Sequence, residues 1–161
     1  MGNNCTKSPF LKKFIFLFFL MYGDMTHTAE LQLSCETKSK GLSNYLDLNI
    51  KDGDLISFGY TAVTHLGDGA PNPSCSIDGS KLKDPRGKND SIWNKTASGY
   101  VVKLINSASE NDQVIIKKTE TGYTFDFKNV SPMNCGQSSG IAEKITIRYG
   151  SKKCIIHKLR N

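Results

Sequence analysis

The sequence predicts a single-domain, all-β fold, an antiparallel sandwich or barrel of about eight short strands stapled by two disulfides. Three observations carry that prediction. Runs of β-branched, aliphatic and aromatic residues recur at short intervals, separated by Gly, Asn and Asp. No alternation of strands with long amphipathic helices suggests βαβ units. Four of the five cysteines (Cys35, Cys75, Cys135 and Cys154) lie beyond the N-terminal apolar segment, an even number that suits bridges.

The chain begins with a segment expected to stand outside the fold. Lys7, Lys12 and Lys13 precede the apolar run "FIFLFFLMYG", about ten residues long. That is too short for a bilayer core, which needs about 20 residues, and it matches a secretory signal peptide over residues 1–29. Cleavage is expected after Ala29, with Thr28 as the competing position because His27 suits the site poorly. An uncleaved anchor is the alternative. Cys35 follows "QLS" and is separated from the apolar run by Asp24 and Glu30, which argues against lipid attachment. The domain is then 30–161, large enough for its own core, with no stable membrane insertion after cleavage. Its expected compartment is the periplasm or the exterior.

Within the domain, "LQLSCE" (31–36) makes a plausible opening strand. "NYLDLNI" (44–50) alternates, with Leu46, Leu48 and Ile50 on one face and Asp47 and Asn49 on the other. The turn "KDGD" leads into "LISFGYTAV" (55–63). "GYVVKLI" (99–105), "QVIIKKT" (113–119) and "YTFDFKN" (123–129) follow closely. Between the last two, Gly122 in "ETG" is available for a left-handed position. "EKITIRY" (143–149) and "KKCIIHKL" (152–159) flank a "GS" hairpin. "SIWNKTA" (91–97) and "SPMNCGQSSGIAE" (131–143) argue mildly for a turn or two of helix.

The stretch "HLGDGAPNPSCSIDGSKLKDPRGKND", His65 to Asp90, resists that pattern. It holds three prolines, four glycines and four aspartates and no apolar run. It is expected to be a long loop, with "SCSID" (74–78) as a short strand inside it and Cys75 tying it down. Long structureless connections in compact domains are usually functional or tethered coil.

Export and four cysteines point to two disulfides rather than a metal site, since no CxxC or HxxxH spacing accompanies them. Of three connectivities, Cys135 with Cys154 and Cys35 with Cys75 is the expected one, because Cys135 and Cys154 both sit near strand ends in one C-terminal unit. The Asp–Gly stretches lack the alternating carboxylates and terminal Glu of a calcium loop, and turn formation accounts for them. No cofactor is expected.

Removing the leader leaves 18 basic and 14 acidic residues of the chain's 21 and 15, a net charge near +4. The lysines are dispersed apart from Lys117/Lys118 and Lys152/Lys153, so nucleic acid is not expected as a partner. A protein or an anionic envelope polymer fits better. His65, at the mouth of the long loop, and His157, on an expected edge strand, are the domain's histidines, and no GxSxG elbow or similar motif joins them. The Arg86/Lys88 turn and Trp93 are the candidate contact residues, with His65 beside the loop; Trp93 can equally be a core plug. The triplets at Asn89, Asn94 and Asn129 would accept glycans only in a eukaryotic secretory pathway.

The tail "NCGQSSGIAEKITIRYGSKKC" (134–154) resembles the end of small uncharacterised periplasmic β-proteins of Gram-negative bacteria. More loosely, the early "SC" strand (Ser34, Cys35) and "SGY" (98–100) are similar to periplasmic lysozyme inhibitors, in which a Ser-Gly-x-x-Tyr motif and a basic loop enter the lysozyme cleft. Here Tyr100 follows Gly99 directly, one residue after it rather than three. The expectation is a non-enzymatic exported binding protein presenting a disulfide-pinned loop. The alternatives are an inhibitor of an exported hydrolase such as lysozyme, and a small envelope enzyme using His65.

Overall fold

The computed structural model describes residues 29–39, 41–65, 71–105, 107–135 and 141–159; of the strand residues 71–74 only the backbone is described. The expected leader, apart from residue 29, lies outside the described residues. Ten strands follow in order: β1 Glu30–Ser39, β2 Leu42–Lys51, β3 Asp54–His65, β4 Pro71–Ser80, β5 Ser91–Thr96, β6 Gly99–Leu104, β7 Gln113–Thr119, β8 Gly122–Asp126, β9 Ala142–Arg148 and β10 Ile155–Leu159. They form two antiparallel meanders, a four-stranded sheet in the order β1-β2-β3-β4 and a six-stranded sheet in the order β10-β9-β8-β7-β6-β5. The all-β class, the antiparallel pairing and the two disulfides are as the sequence predicts.

Alternation sets which face is buried. In β2, Leu46, Leu48 and Ile50 are buried while Asp47 and Asn49 stand exposed. β8 turns Tyr123 and Phe125 inward in the same way. The two inner faces meet in one core, where Phe58 lies 5.3 Å from Phe125 and Tyr60 lies 4.7 Å from Phe127, centroid to centroid. Those rings come from β3 on one side and from β8 and its extension on the other. The contacts stack sheet on sheet, and aromatic pairs of this kind add to plain area burial.

Gly122 has φ 153°, and a Cβ there would stand 2.0 Å from the Ile147 carbonyl oxygen, so the β7–β8 hairpin admits no other residue without moving backbone. The β2–β3 turn uses Asp52 and Gly53, at φ 53° and 76°. Successive left-handed residues of this kind match the strand twist in two-residue hairpins.

Four expectations need correction. The stretch 65–90 is not one long loop: Pro71–Ser80 is the ten-residue strand β4. Proline is excluded from central strands because it cannot donate to the ladder, but β4 is an edge strand. Its register with β3 also shifts between Ala62 and Val63, beside Pro73. Gly79 has a packing reason too, since a Cβ there would lie 2.6 Å from Cε1 of its cross-strand partner Phe58. Residues 91–97 are not helical, because Ser91–Thr96 pairs with β6 throughout. Of the helix expected within 131–143, the described residues show a single 3-10 turn, Pro132–Cys135.

The last correction concerns the bridges, which are Cys35–Cys154 and Cys75–Cys135. Spacing along the chain favoured joining Cys135 to Cys154, but the abutting edges decide the pairing. β1 lies against residues 152–154, where Glu36 N donates to Lys152 O (3.0 Å) and Cys154 N to Glu36 O (3.2 Å). Each bridge therefore joins the four-stranded half of the chain to the six-stranded half.

Candidate functional site

With β4 assigned to the sheet, the loop that remains is Lys81 to Asp90, and it is the chain's crossing from one sheet to the other. Its neck is closed by hydroxyl bonds. Ser80 N donates to Ser91 Oγ (2.9 Å) and to Asp90 Oδ1 (3.1 Å), and Ser91 Oγ donates back to Ser80 O (3.0 Å). Asp90 O in turn accepts from Ile105 N (2.8 Å), which docks the neck on β6.

Lys81 seals the seam behind this neck. Its Nζ is 2.6 Å from Asp54 Oδ2 on β3, and it lies over the rings of Tyr100 (4.2 Å) and Trp93 (5.2 Å) on β6 and β5. The Tyr100 hydroxyl donates to Asp54 Oδ1. Lys81 first, and then Tyr100, hold the Asp54 carboxyl below the usual carboxylate range. Burial, reinforced by Asp54, pushes the Tyr100 phenol up to about 12. At neutral pH the group is thus ammonium, carboxylate and neutral phenol, a charge-neutral clasp across the two sheets. Beside it opens a shallow cleft of about 480 Å³, whose lining includes Asp52, Lys95, Ser98 and Lys118.

Trp93 belongs to this structural side. It is half-buried, meets Phe58 and Tyr100 edge-on at 5.9 and 5.5 Å, and donates from Nε1 to Ser91 Oγ (3.0 Å). Its indole packs where the loop returns to the sheet and stays partly exposed.

Arg86 and Lys88 stand at the tip, on a turn built around one carboxylate. Asp84 Oδ1 accepts from Arg86 N (2.9 Å) and Lys88 N (2.8 Å), while the Asp84 carbonyl accepts from Gly87 N (2.8 Å). Asp84 N donates to Lys88 O (2.8 Å), and Gly87 supplies the left-handed φ of 76° that closes the loop. These bonds, the Lys88 amide first, hold the Asp84 carboxyl below its ordinary range. The Arg86 Nε also reaches Asp84 Oδ2 (3.0 Å), yet its side chain remains 80% exposed. Lys83 and Lys88 are exposed nearby, and Leu82 is 65% exposed among them. The result is a pre-ordered basic tip with one apolar contact point.

His65 is not brought to this tip. It ends β3 at the far end from Asp54, roughly 36 Å away for eleven residue steps of extended chain. Its Nε2 lies 2.9 Å from Ser43 Oγ, a serine–histidine pair that adjacency in sequence could not reveal. Ser43 is only 1% exposed, so its hydroxyl is closed to a substrate carbonyl, and the pair ties β2 to the end of β3. His157, on the edge strand β10, bonds Thr146 Oγ1 (2.9 Å) in the same stitching manner. Among the described residues no group of three or more His, Cys, Asp or Glu is placed to hold a metal ion.

Sequence reasoning placed the tip but missed the clasp. Asp54, Lys81 and Tyr100 lie far apart in the chain and carry no motif. The one signal was "KDGD", which places Asp54 directly after a hairpin turn.

No helix among the described residues is long and apolar enough to cross a membrane. Comparison with known protein families, with curated proteins and with solved structures finds no match, so neither a relative's chemistry nor a fold precedent bears on the site.

Proposed function

We propose that this is an exported, non-enzymatic binding protein that presents the Arg86/Lys88 tip to an acidic surface of a protein partner. The observation that carries the proposal is the Asp84-centred turn. That turn holds the backbone of Arg86 and Lys88 in one arrangement and leaves the Arg86 side chain 80% exposed. Pre-ordering a loop removes much of the entropy lost on association, and rigid scaffolds carrying functional loops are the usual division of labour. Two disulfides support an oxidising compartment, periplasmic or secreted. The partner chemistry that fits best is a recess lined by carboxylates, because Arg86 leads the tip and arginine pairs with carboxylates in a fork. An exported hydrolase with catalytic carboxylates, lysozyme included, is one such partner.

Crosslinking capture from the native envelope with the oxidised protein tests the proposal. A partner retained by the native chain and lost with Arg86→Glu plus Lys88→Glu supports it. Capture that ignores this double charge reversal refutes it. Where the captured partner is a hydrolase, its activity should fall with added protein and recover with the variant.

A further inference from the structure

A second basic site lies away from the loop, where β1 meets the segment leading into β10. The meeting is made by backbone. The two main-chain bonds of Glu36 make a parallel bridge to Lys153, and Thr37 Oγ1 donates to Cys154 O (2.6 Å). The Cys35–Cys154 disulfide locks the same place. Ser151 Oγ accepts from Lys153 N (3.1 Å) and donates to Lys153 O (3.0 Å), which fixes the chain around Lys152. The seam opens into a cleft of about 500 Å³ lined by Glu36, Thr37, Lys38, Lys152, Lys153 and Cys154.

The charges in this cleft do not cancel. Lys38 is 2.9 Å from Glu36 and, ahead of Tyr45, holds that carboxyl below its usual range. One lysine is thereby matched. Lys152 and Lys153, both exposed, have no carboxylate within ion-pair distance among the described residues. Lys152 and Lys153 thus add two positive charges to a cleft whose rims are fixed by a disulfide and main-chain bonds. The volume exceeds what a bare oxyanion fills and falls in the range of small-molecule sites.

We propose that the Lys38/Lys152/Lys153 cleft binds a phosphate monoester carried on a polar molecule. Two unmatched positive charges suit a dianion, and lysine serves as a point-charge partner for phosphate. A soluble sugar or glycerol phosphate and a phosphatidic acid headgroup share this chemistry.

The test uses the oxidised protein and two probes, glycerol 3-phosphate by calorimetric titration and phosphatidylcholine vesicles carrying phosphatidic acid by co-sedimentation. Saturable binding to either probe is expected, absent with glycerol or with vesicles of phosphatidylcholine alone. Binding to the soluble probe identifies a metabolite-type ligand; binding to the vesicles alone identifies a headgroup. Lys152→Ala and Lys153→Ala should each weaken binding about fivefold, as expected for one lysine near a phosphate surface, and Lys152→Glu with Lys153→Glu should abolish it. Should the glutamate pair fail to fold, Lys152→Gln with Lys153→Gln replaces it. Arg86→Glu with Lys88→Glu, and Lys103→Glu on β6, should leave binding intact, which keeps this site's failure separate from that of the loop. No saturable binding to either probe, or equal weakening by Lys103→Glu, overturns the proposal.

Discussion

Replacing Tyr60 with phenylalanine removes one oxygen from the centre of the molecule and should be costly. The Tyr60 hydroxyl donates to Asn44 Oδ1 (2.5 Å) and accepts from Ala142 N (2.7 Å), so it joins β2, β3 and the start of β9. Tyr60 and Ala142 are fully buried and Asn44 is 1% exposed, so water cannot replace the lost partner. The substitution orphans one buried acceptor and one buried donor. Each orphan costs about 1–3 kcal/mol. Asn44 Nδ2 already lacks a partner, so turning the amide gains nothing. A loss of about 2–4 kcal/mol is expected after partial relaxation, against a typical domain stability of about 5–15 kcal/mol. Urea unfolding with both disulfides oxidised measures it. Adding Asn44→Leu removes the orphaned acceptor, and the double variant should be about 1–2 kcal/mol more stable than the two losses summed. A loss within about 0.5 kcal/mol for Tyr60→Phe, or strict additivity in the pair, would refute the bridging role.

The other expectations are simpler to state. Non-reducing peptide mapping should recover Cys35–Cys154 and Cys75–Cys135. With 119 and 60 residues of separation, chain entropy alone assigns their removal about 5 and 4 kcal/mol, so Cys35→Ser with Cys154→Ser should lower the urea midpoint the more. Gly79→Ala should cost about 1–3 kcal/mol, because its methyl meets the Phe58 ring at 2.6 Å; a neutral result in thermal unfolding would show that the ring has room to move. Burial raises the phenols of Tyr60 and Tyr100 to about 12, above their unfolded values near 10. The unfolded chain therefore loses those protons first. The stability they add is complete below about pH 10 and is lost as pH rises toward 12, by about 1.4 kcal/mol per pH unit for each phenol held back. Urea midpoints across that window should show the slope, and Tyr60→Phe should make it shallower.

Much of the fold was legible because alternation is a local signal. Leu46, Leu48 and Ile50 against Asp47 and Asn49 state their strand and their buried face without reference to anything distant. What failed was information held by neighbours in space. Pro71 and Pro73 speak against a strand until β4 is known to be an edge, and Gly79 looks like a turn residue until Phe58 is known to lie across from it. "SIWNKTA" looks ambiguous alone and becomes a strand because β6 offers six consecutive partners. The disulfides failed for the same reason, since the meeting of β1 with residues 152–154 has no local trace. The candidate tip was legible, as Asp-Pro-Arg-Gly-Lys is turn chemistry in any setting. The cleft at Lys152 and Lys153 was visible only as a charge pair, with nothing to place Lys38 beside it.

The loop from Lys81 to Asp90 has two jobs that separate by residue. Because β1 to β4 form one sheet and β5 to β10 the other, these ten residues must carry the chain between the sheets whatever else they do. Length alone is therefore no argument for function. The crossing is secured at its two ends, by Lys81 against Asp54, Tyr100 and Trp93 and by Ser91 against Ser80. Within residues 82–88 only Leu82 N bonds back to that neck, donating to Ser80 Oγ (3.0 Å), while residues 84–88 are ordered around Asp84 and bear the exposed Arg86 and Lys88. Asp84→Ala distinguishes the jobs: it should change unfolding free energy by less than about 0.5 kcal/mol while speeding amide exchange at Lys88 and weakening partner capture. Lys81→Met should do the reverse, lowering stability by about 1–2 kcal/mol through the lost ion pair and ring contacts, with capture per folded molecule unchanged. If Asp84→Ala proved as destabilising as Lys81→Met, the tip would be part of the crossing itself, and the case for a presented contact surface would go with it.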